Sequence, residues 1–214
     1  IDNTKFRHVN GNYNLAHLIN DWADIQVGGS YRQYELNSNG TIFTDKDGPI
    51  KYNEYGAYVQ LQKSMADERL KLTTSARYDK NEFFDGFVSP RFSLAYTAGE
   101  DRNHNIRVSA QKGFRNPTTQ DLFIGLDVGQ AILVGSAPDN LDRDVRTFST
   151  SAGAQLLGLP SQVQVSGRAA YENSFSLSSV LAGAPQKVDT DLIKPEEIEA
   201  FEVGYRGSFG AVTL

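Results

Sequence analysis

The sequence predicts an all-β chain: an antiparallel up-and-down transmembrane β-barrel segment of about eight long strands with one long extracellular loop. Three observations predict it. Apolar and polar residues alternate with period two in stretch after stretch. These stretches run about ten to fourteen residues, where soluble strands centre on about 5–6 and membrane-crossing strands need about 9–11. Short connections alternate with long ones, as in a meander whose tight turns all lie at one end.

Successive side chains of a strand leave opposite faces, so each stretch divides into two rows. The first strand, residues 4–16, alternates most weakly, between Val9 and Leu15. In the second, 22–37, Ala23, Ile25, Val27, Gly29 and Tyr31 oppose Asp24, Gln26, Gly28, Ser30 and Arg32. In the third, 52–64, Tyr55, Ala57, Val59 and Leu61 oppose Glu54, Gly56, Tyr58, Gln60 and Gln62. In the fourth, 69–79, Leu70, Leu72, Thr74, Ala76 and Tyr78 oppose Arg69, Lys71, Thr73, Ser75 and Arg77. In the fifth, 87–97, Val88, Pro90, Phe92, Leu94 and Tyr96 oppose Ser89, Arg91, Ser93 and Ala95. In the sixth, 104–114, Ile106, Val108 and Ala110 oppose Arg107, Ser109 and Gln111. In the seventh, 197–207, Phe201, Val203 and Tyr205 oppose Glu202, Gly204 and Arg206. An eighth, 208–214, starts near Phe209.

The short connections are 18–21, 65–68, 98–103 and the corner at 207–210. The longer ones, 37–51, 79–86 and 115–194, are rich in Asp, Asn and Gly. The last spans 80 residues, far above the usual loop length of about 4–6. The strands flanking it run in opposite directions, so it crosses the sheet zero times or twice. Residues 162–171 alternate, and 147–156 do so loosely, which leaves open an extra hairpin over 147–171. Residues 174–184 are rich in Ser, Ala and Leu and read alternatively as a short helix.

Two physical readings of the alternation compete. One is a soluble antiparallel sheet with one face in a core. The other is a barrel wall with Ile25, Val27, Val59, Leu72, Phe92, Val108 and Val203 toward lipid. Its lumen row would then hold Gln26, Arg77, Arg91, Arg107, Glu202 and Arg206. Strand length favours the wall, as do full charges in mid-strand on the polar row. Aromatic residues at both strand ends resemble interfacial girdles. Trp22, Tyr96 and Tyr205 stand at the short-turn end; Tyr34, Tyr52, Tyr78, Phe87 and Phe114 stand at the other.

Composition narrows the chemistry. The net charge of −5 argues against a nucleic-acid partner, which selects for a basic excess. With no cysteine, disulfides, thiolate metal sites and cysteine nucleophiles are excluded. No apolar run approaches the roughly 18 residues of a transmembrane helix, and no basic-then-apolar leader follows Ile1. His8, His17 and His104 lie on separate segments without metal-ligand spacing. Asp45-Lys46-Asp47-Gly48 opens like a calcium loop, but the closing position holds Gly56 instead of glutamate. Asp139, Asp142 and Asp144 form an acidic cluster that reads first as solvated and second as a loop calcium site. Glu196, Glu197 and Glu199 read as loop-rim charges rather than paired catalytic carboxylates.

Three motifs then occur in order. Ser89-Pro90-Arg91 opens the fifth strand and Tyr96 closes it. Gly113-Phe114-Arg115-Asn116-Pro117-Thr118 closes the sixth. Ile193-Lys194-Pro195-Glu196 leads into a strand containing Glu202, Gly204, Tyr205 and Gly207. This set resembles the barrel domain of TonB-dependent outer-membrane receptors of Gram-negative bacteria, over most of 52–119 and 192–207. Ile193 replaces the usual Leu, and Phe201 sits where Tyr is common.

The resemblance implies a barrel of roughly 22 strands with a plugged lumen, of which 1–214 would be an internal piece lacking the plug domain and the C-terminal strands. It implies an outer-membrane transporter and not an enzyme, with no cofactor and no metal. The implied partners are the outer-membrane bilayer, an extracellular small-molecule or glycan ligand, and the TonB energy-transducing complex acting through the plug. Siderophore-iron, haem, cobalamin and glycan are the ligand classes it admits. The ligand contacts expected in the outer loop are Arg115, Asn116, Gln120 and Asp121. Arg77, Arg91, Arg107, Glu202 and Arg206 are expected to face the lumen or the plug. The alternatives are a passive porin-like barrel and a surface β-sheet adhesin.

Overall fold

The computed structural model describes residues 2–19, 22–129, 132–209 and 212–213. Six strands come first: β1 (Lys5–Asn14), β2 (Asp24–Leu36), β3 (Ile50–Met65), β4 (Leu70–Asn81), β5 (Phe87–Ala98) and β6 (His104–Arg115). A 3-10 turn, Ala16–Ile19, follows β1. Short elements fill the long connection: α1 (Thr119–Phe123), β7 (Gly125–Asp127), β8 (Ile132–Val134), α2 (Pro138–Arg143), β9 (Val145–Ser149), α3 (Ala152–Leu156), β10 (Gln162–Ser166), α4 (Gly167–Glu172) and α5 (Leu177–Leu181). The chain ends with β11 (Glu196–Phe209) and β12 (Val212–Thr213). The eighth strand therefore starts later than expected, because β11 runs on through Ser208 and Phe209. Part of the first and last short connections, at residues 20–21 and 210–211, lies outside the described residues, as does Leu214.

Eight strands form one antiparallel sheet in the order β1-β2-β3-β4-β5-β6-β11-β12. Chain neighbours are sheet neighbours except across the long connection, which returns β11 beside β6. The register keeps the two rows in phase across the sheet. Leu72 pairs with Leu94, Leu94 with Val108, and Val108 with Val203. One residue away, Thr73 pairs with Ser93, Ser93 with Ser109, and Ser109 with Glu202. A slip of one residue in any strand would exchange its faces.

The apolar row is not covered. Val59, Phe92, Tyr96, Ile106, Val108 and Val203 are all exposed. A soluble sheet buries this face against a second layer; a membrane wall leaves it for lipid. None of these six contributes to a core.

By contact the chain divides into two units: a strand unit of Phe6–Tyr34, Lys51–Asn116 and the chain from Pro195, and a loop unit containing Glu35–Ile50 and Pro117–Lys194. The loop unit has a core of its own in Phe43, Leu122, Phe123, Ala137 and Leu141. Its centre is the fully buried Asn140. That amide donates to the Gly135 carbonyl at 2.7 Å and the Ile124 carbonyl at 3.3 Å, and accepts from the Thr44 hydroxyl. Gly135 is required there, since a Cβ would lie 2.5 Å from the Leu122 backbone.

Around the span left open as a hairpin, β9 and β10 pair with each other and, among the described residues, with no other strand; at five residues each they fall short of the roughly 9–11 a membrane crossing needs. Residues 152–156 and 167–172 are helical, capped by Ser151 and Ser166. A short helix, α5, lies within 174–184.

Candidate functional site

The polar row of the strand unit carries the densest side-chain network. Period two places Glu54 and Tyr58 on β3 and Arg77, Asp79 and Asn81 on β4 on the same face, with Tyr58 opposite Arg77 and Glu54 opposite Asn81. The Glu54 carboxylate collects four donors. Its Oε1 accepts from Asn81 at 2.8 Å and Asn116 at 3.4 Å; its Oε2 accepts from Arg32 at 3.4 Å and the Tyr34 hydroxyl at 3.3 Å. Beside it, Arg77 grips Asp79 through two bonds of 2.7 and 2.8 Å. Bidentate pairs of this kind fix side-chain orientation as well as neutralise charge.

Further along the same face, Glu202 accepts from Ser109 at 3.2 Å. Arg91 lies across from Gln111, Arg107 across from Gly204, and Arg206 across from Asn105. The guanidinium groups of Arg91, Arg107 and Arg206 have no hydrogen-bond or ion-pair partner among the described residues. These three guanidinium groups are uncommitted cations on the polar face of the sheet.

The four residues expected to contact a ligand go to different places. Asn116 joins the Glu54 hub. Arg115 pairs with Glu196 at 2.9 Å across the β6–β11 ladder. Asp121 accepts from the Thr118 backbone at 2.8 Å and the Thr118 hydroxyl at 2.7 Å, closing a capping box on α1. Gln120, on the same helix, is exposed. Arg115 and Asn116 belong to the strand unit, Gln120 and Asp121 to the loop unit. Sequence reasoning missed Glu54, Arg32, Tyr34 and Asn81 as a cluster: it placed Glu54 and Arg32 on polar rows, Tyr34 in an aromatic girdle and Asn81 in the connection 79–86.

Two of the girdle aromatics are also reassigned. Tyr34 and Tyr52 stack on each other at 4.5 Å with 7° between their planes. Tyr52 is buried, and Tyr34 is held by Glu54, so both belong to the polar row. Exposed rings toward that end include Tyr31, Tyr55 and Tyr78.

The motif residues have local physical reasons. Pro90 carries no N–H, and the β5–β6 ladder stops at Arg91 while the β4–β5 ladder continues to Phe87. The missing donor therefore lies on the β6 side. Ser89 stands across from Arg77. Pro117 and Pro195 flank strand ends, β6 closing at Arg115 and β11 opening at Glu196. Tyr205 lies over Gly207, where any Cβ would collide with its hydroxyl, and contacts His104 Nδ1 at 2.8 Å. Gly113 and Gly204 have open space where a Cβ would stand, and sterics do not explain them.

In the loop unit the acidic cluster is matched one to one with arginines. Asp139 meets Arg143 at 3.4 Å, Asp144 meets Arg146 at 2.9 Å, and Asp142 is gripped by Arg168 at 2.6 and 2.7 Å. The Arg168 hydrogen bonds hold the Asp142 carboxyl below its ordinary range. Asp45, first residue of the calcium-like stretch, is buried and accepts from the Ser38 backbone, the Ser38 hydroxyl at 2.8 Å and the Gly40 backbone at 2.6 Å. It staples a turn. Among the described residues no group of three or more His, Cys, Asp or Glu is arranged to hold a metal ion, and no helix is long and apolar enough to cross a membrane.

The family model described as TonB dependent receptor-like, beta-barrel, matches residues 2–214. No curated protein matches the chain. A long-stranded antiparallel sheet with an uncovered apolar face, a charged opposite face and a folded loop is what a wall segment of an outer-membrane receptor or transporter requires, and the chain belongs to the TonB-dependent receptor β-barrel family.

Proposed function

We propose that this chain forms wall and outer loop of a receptor that takes up a scarce, large ligand across the outer membrane with energy delivered through TonB. Siderophore-iron, haem, cobalamin and glycan remain the ligand classes. The apolar row faces lipid and the polar row faces the lumen, where Arg91, Arg107 and Arg206 stand ready to pair with a plug. The loop unit lies outside the cell and gives the ligand its first contact. The wall supplies binding and passage and performs no bond chemistry.

The observation that supports this reading is the set of uncommitted arginines on the polar row of a sheet whose apolar row is bare. Charges of one sign inside a barrel call for a partner of opposite charge or for water. A passive porin satisfies them with water alone and needs no energy. Uptake by cells expressing the full-length receptor, with and without TonB, separates the two. Energised transport stops when TonB is deleted; porin-like entry continues unchanged.

A further inference from the structure

The polar face of the strand unit holds a second concavity, of about 200 Å³, that the Glu54 hub does not fill. Its walls include Asn10 and Asn12 of β1, Ser30 of β2, Tyr58 of β3 and Arg77 of β4. Two glycines make it possible. At Gly28 a Cβ would collide with the Tyr58 ring, meeting Cζ at 2.8 Å. The ring therefore lies along the wall across Gly28 instead of standing out into the lumen. At Gly56 a Cβ would meet Asp79 at 2.7 Å, Ser30 at 2.8 Å and Arg77 at 3.0 Å, so its absence lets those three polar groups converge.

Charge narrows the ligand. Both cations at this concavity are already compensated: Arg77 by the bidentate Asp79, Arg32 by Glu54 at 3.4 Å. An anionic ligand would have to break those pairs. What remains, besides the His8 ring, is neutral and directional. The side-chain amides of Asn10 and Asn12 have no hydrogen-bond partner among the described residues, and Ser30 lines the same space. Each amide offers both donors and an acceptor. The Tyr58 ring adds a partly exposed aromatic surface with a polar tip. An aromatic platform ringed by amides, a hydroxyl and pre-paired Arg–Asp groups matches a pyranose, which has apolar C–H faces and a rim of hydroxyls.

We infer that Tyr58, Asn10, Asn12 and Ser30 form a luminal subsite for a neutral sugar unit, and that the transported ligand is a glycan. This rests on the receptor reading above and selects one of its ligand classes.

The test uses the full-length receptor in detergent and a glycan array of neutral and acidic oligosaccharides, with ferric siderophores and haem titrated separately. A neutral oligosaccharide is expected to bind. Tyr58→Ala should then weaken it about tenfold, and Tyr58→Phe should keep affinity within about threefold, because the stacking face survives. Asn12→Ala should weaken it too. Heat-modifiable gel mobility reports that each variant is folded; if Tyr58→Ala is not, Gly28→Ala, which displaces the ring, replaces it. Binding of a siderophore or haem without any neutral glycan overturns the sugar subsite. So does unchanged affinity in a folded Tyr58→Ala receptor. TonB-dependent uptake of such a non-glycan ligand leaves the transport reading standing, whereas TonB-independent glycan entry leaves the subsite and removes the transport reading.

Discussion

Val108 on β6 stands directly opposite Val203 on β11, and both side chains are exposed, at 38% and 83%. One residue along each strand, Ser109 faces Glu202 and bonds to it at 3.2 Å. The sheet thus changes from hydrocarbon to hydrogen-bonded polar surface across a single backbone thickness. Water on both sides would leave the valine row unfavourable; lipid on one side makes the arrangement stable.

The first prediction follows from that polarity. In the full receptor, Leu72→Arg places a cation in the apolar row and should cost about 2–4 kcal/mol near the bilayer midplane. Thr73→Arg, one residue away on the polar row, should be close to neutral. Urea-driven unfolding from lipid vesicles measures both. Equal costs would refute the assignment of faces.

The loop unit should be separable in stability from the wall. Asn140→Ala leaves the Gly135 and Ile124 carbonyls without their buried donor, at a cost of about 1–3 kcal/mol. Proteolysis of the receptor on intact cells should nick 117–194 faster, while heat-modifiable mobility of the barrel is unchanged. A variant as resistant as the parent would show that Asn140 does not organise the loop.

The Asp142–Arg168 pair gives a pH dependence of known sign. Arg168 holds the Asp142 carboxyl below its ordinary value. The pair therefore contributes fully above the ordinary carboxylate range, and its contribution fades as pH falls through the depressed value. Both groups are exposed, so the effect is small and salt-sensitive. Hydrogen-exchange protection in α2 and α4, taken relative to the intrinsic rate at each pH, should fall on acidification, and Asp142→Asn should remove that part of the change. Protection that falls on raising the pH would contradict the pairing.

The β3–β4 turn stores strain. Ala66, Asp67 and Glu68 have φ of 53°, 52° and 64°, a left-handed conformation that costs non-glycine residues about 1–2 kcal/mol each. Asp67→Gly relieves one such cost against an entropic penalty of about 0.5–1 kcal/mol. The net change should be neutral to stabilising, by up to about 1.5 kcal/mol on the difference of those two figures. Unfolding midpoints in urea check it; destabilisation would mean that the Asp67 side chain contributes more than its backbone costs.

Strand existence and the division into two rows were legible in the sequence because one signal, period two, encodes both. Leu72, Phe92 and Val108 needed no structure to be placed on one row. The Glu54 hub was not legible, since it joins β2, β3, β4 and Asn116, and cross-strand register is invisible to a pattern read along one strand. Tyr34 and Tyr52 misled for a related reason: aromatic identity suggested a lipid girdle, but their parity put them with Glu54. In 147–171 the alternation was real but ended after five residues on each side, where Ser151 and Ser166 start helices. The capping role of Asp121 was not legible because a capping carboxylate and a binding carboxylate share the same residue type.

The most direct test of the central claim compares two neighbours. Spin labels placed singly at Val108 and at Ser109 of the full-length receptor in bilayers report exposure to oxygen, which partitions into lipid, and to a water-soluble nickel chelate. The label at 108 should be relaxed mainly by oxygen and the label at 109 mainly by nickel. Equal nickel accessibility at both positions, or the reverse order, would mean that the apolar row does not face the membrane.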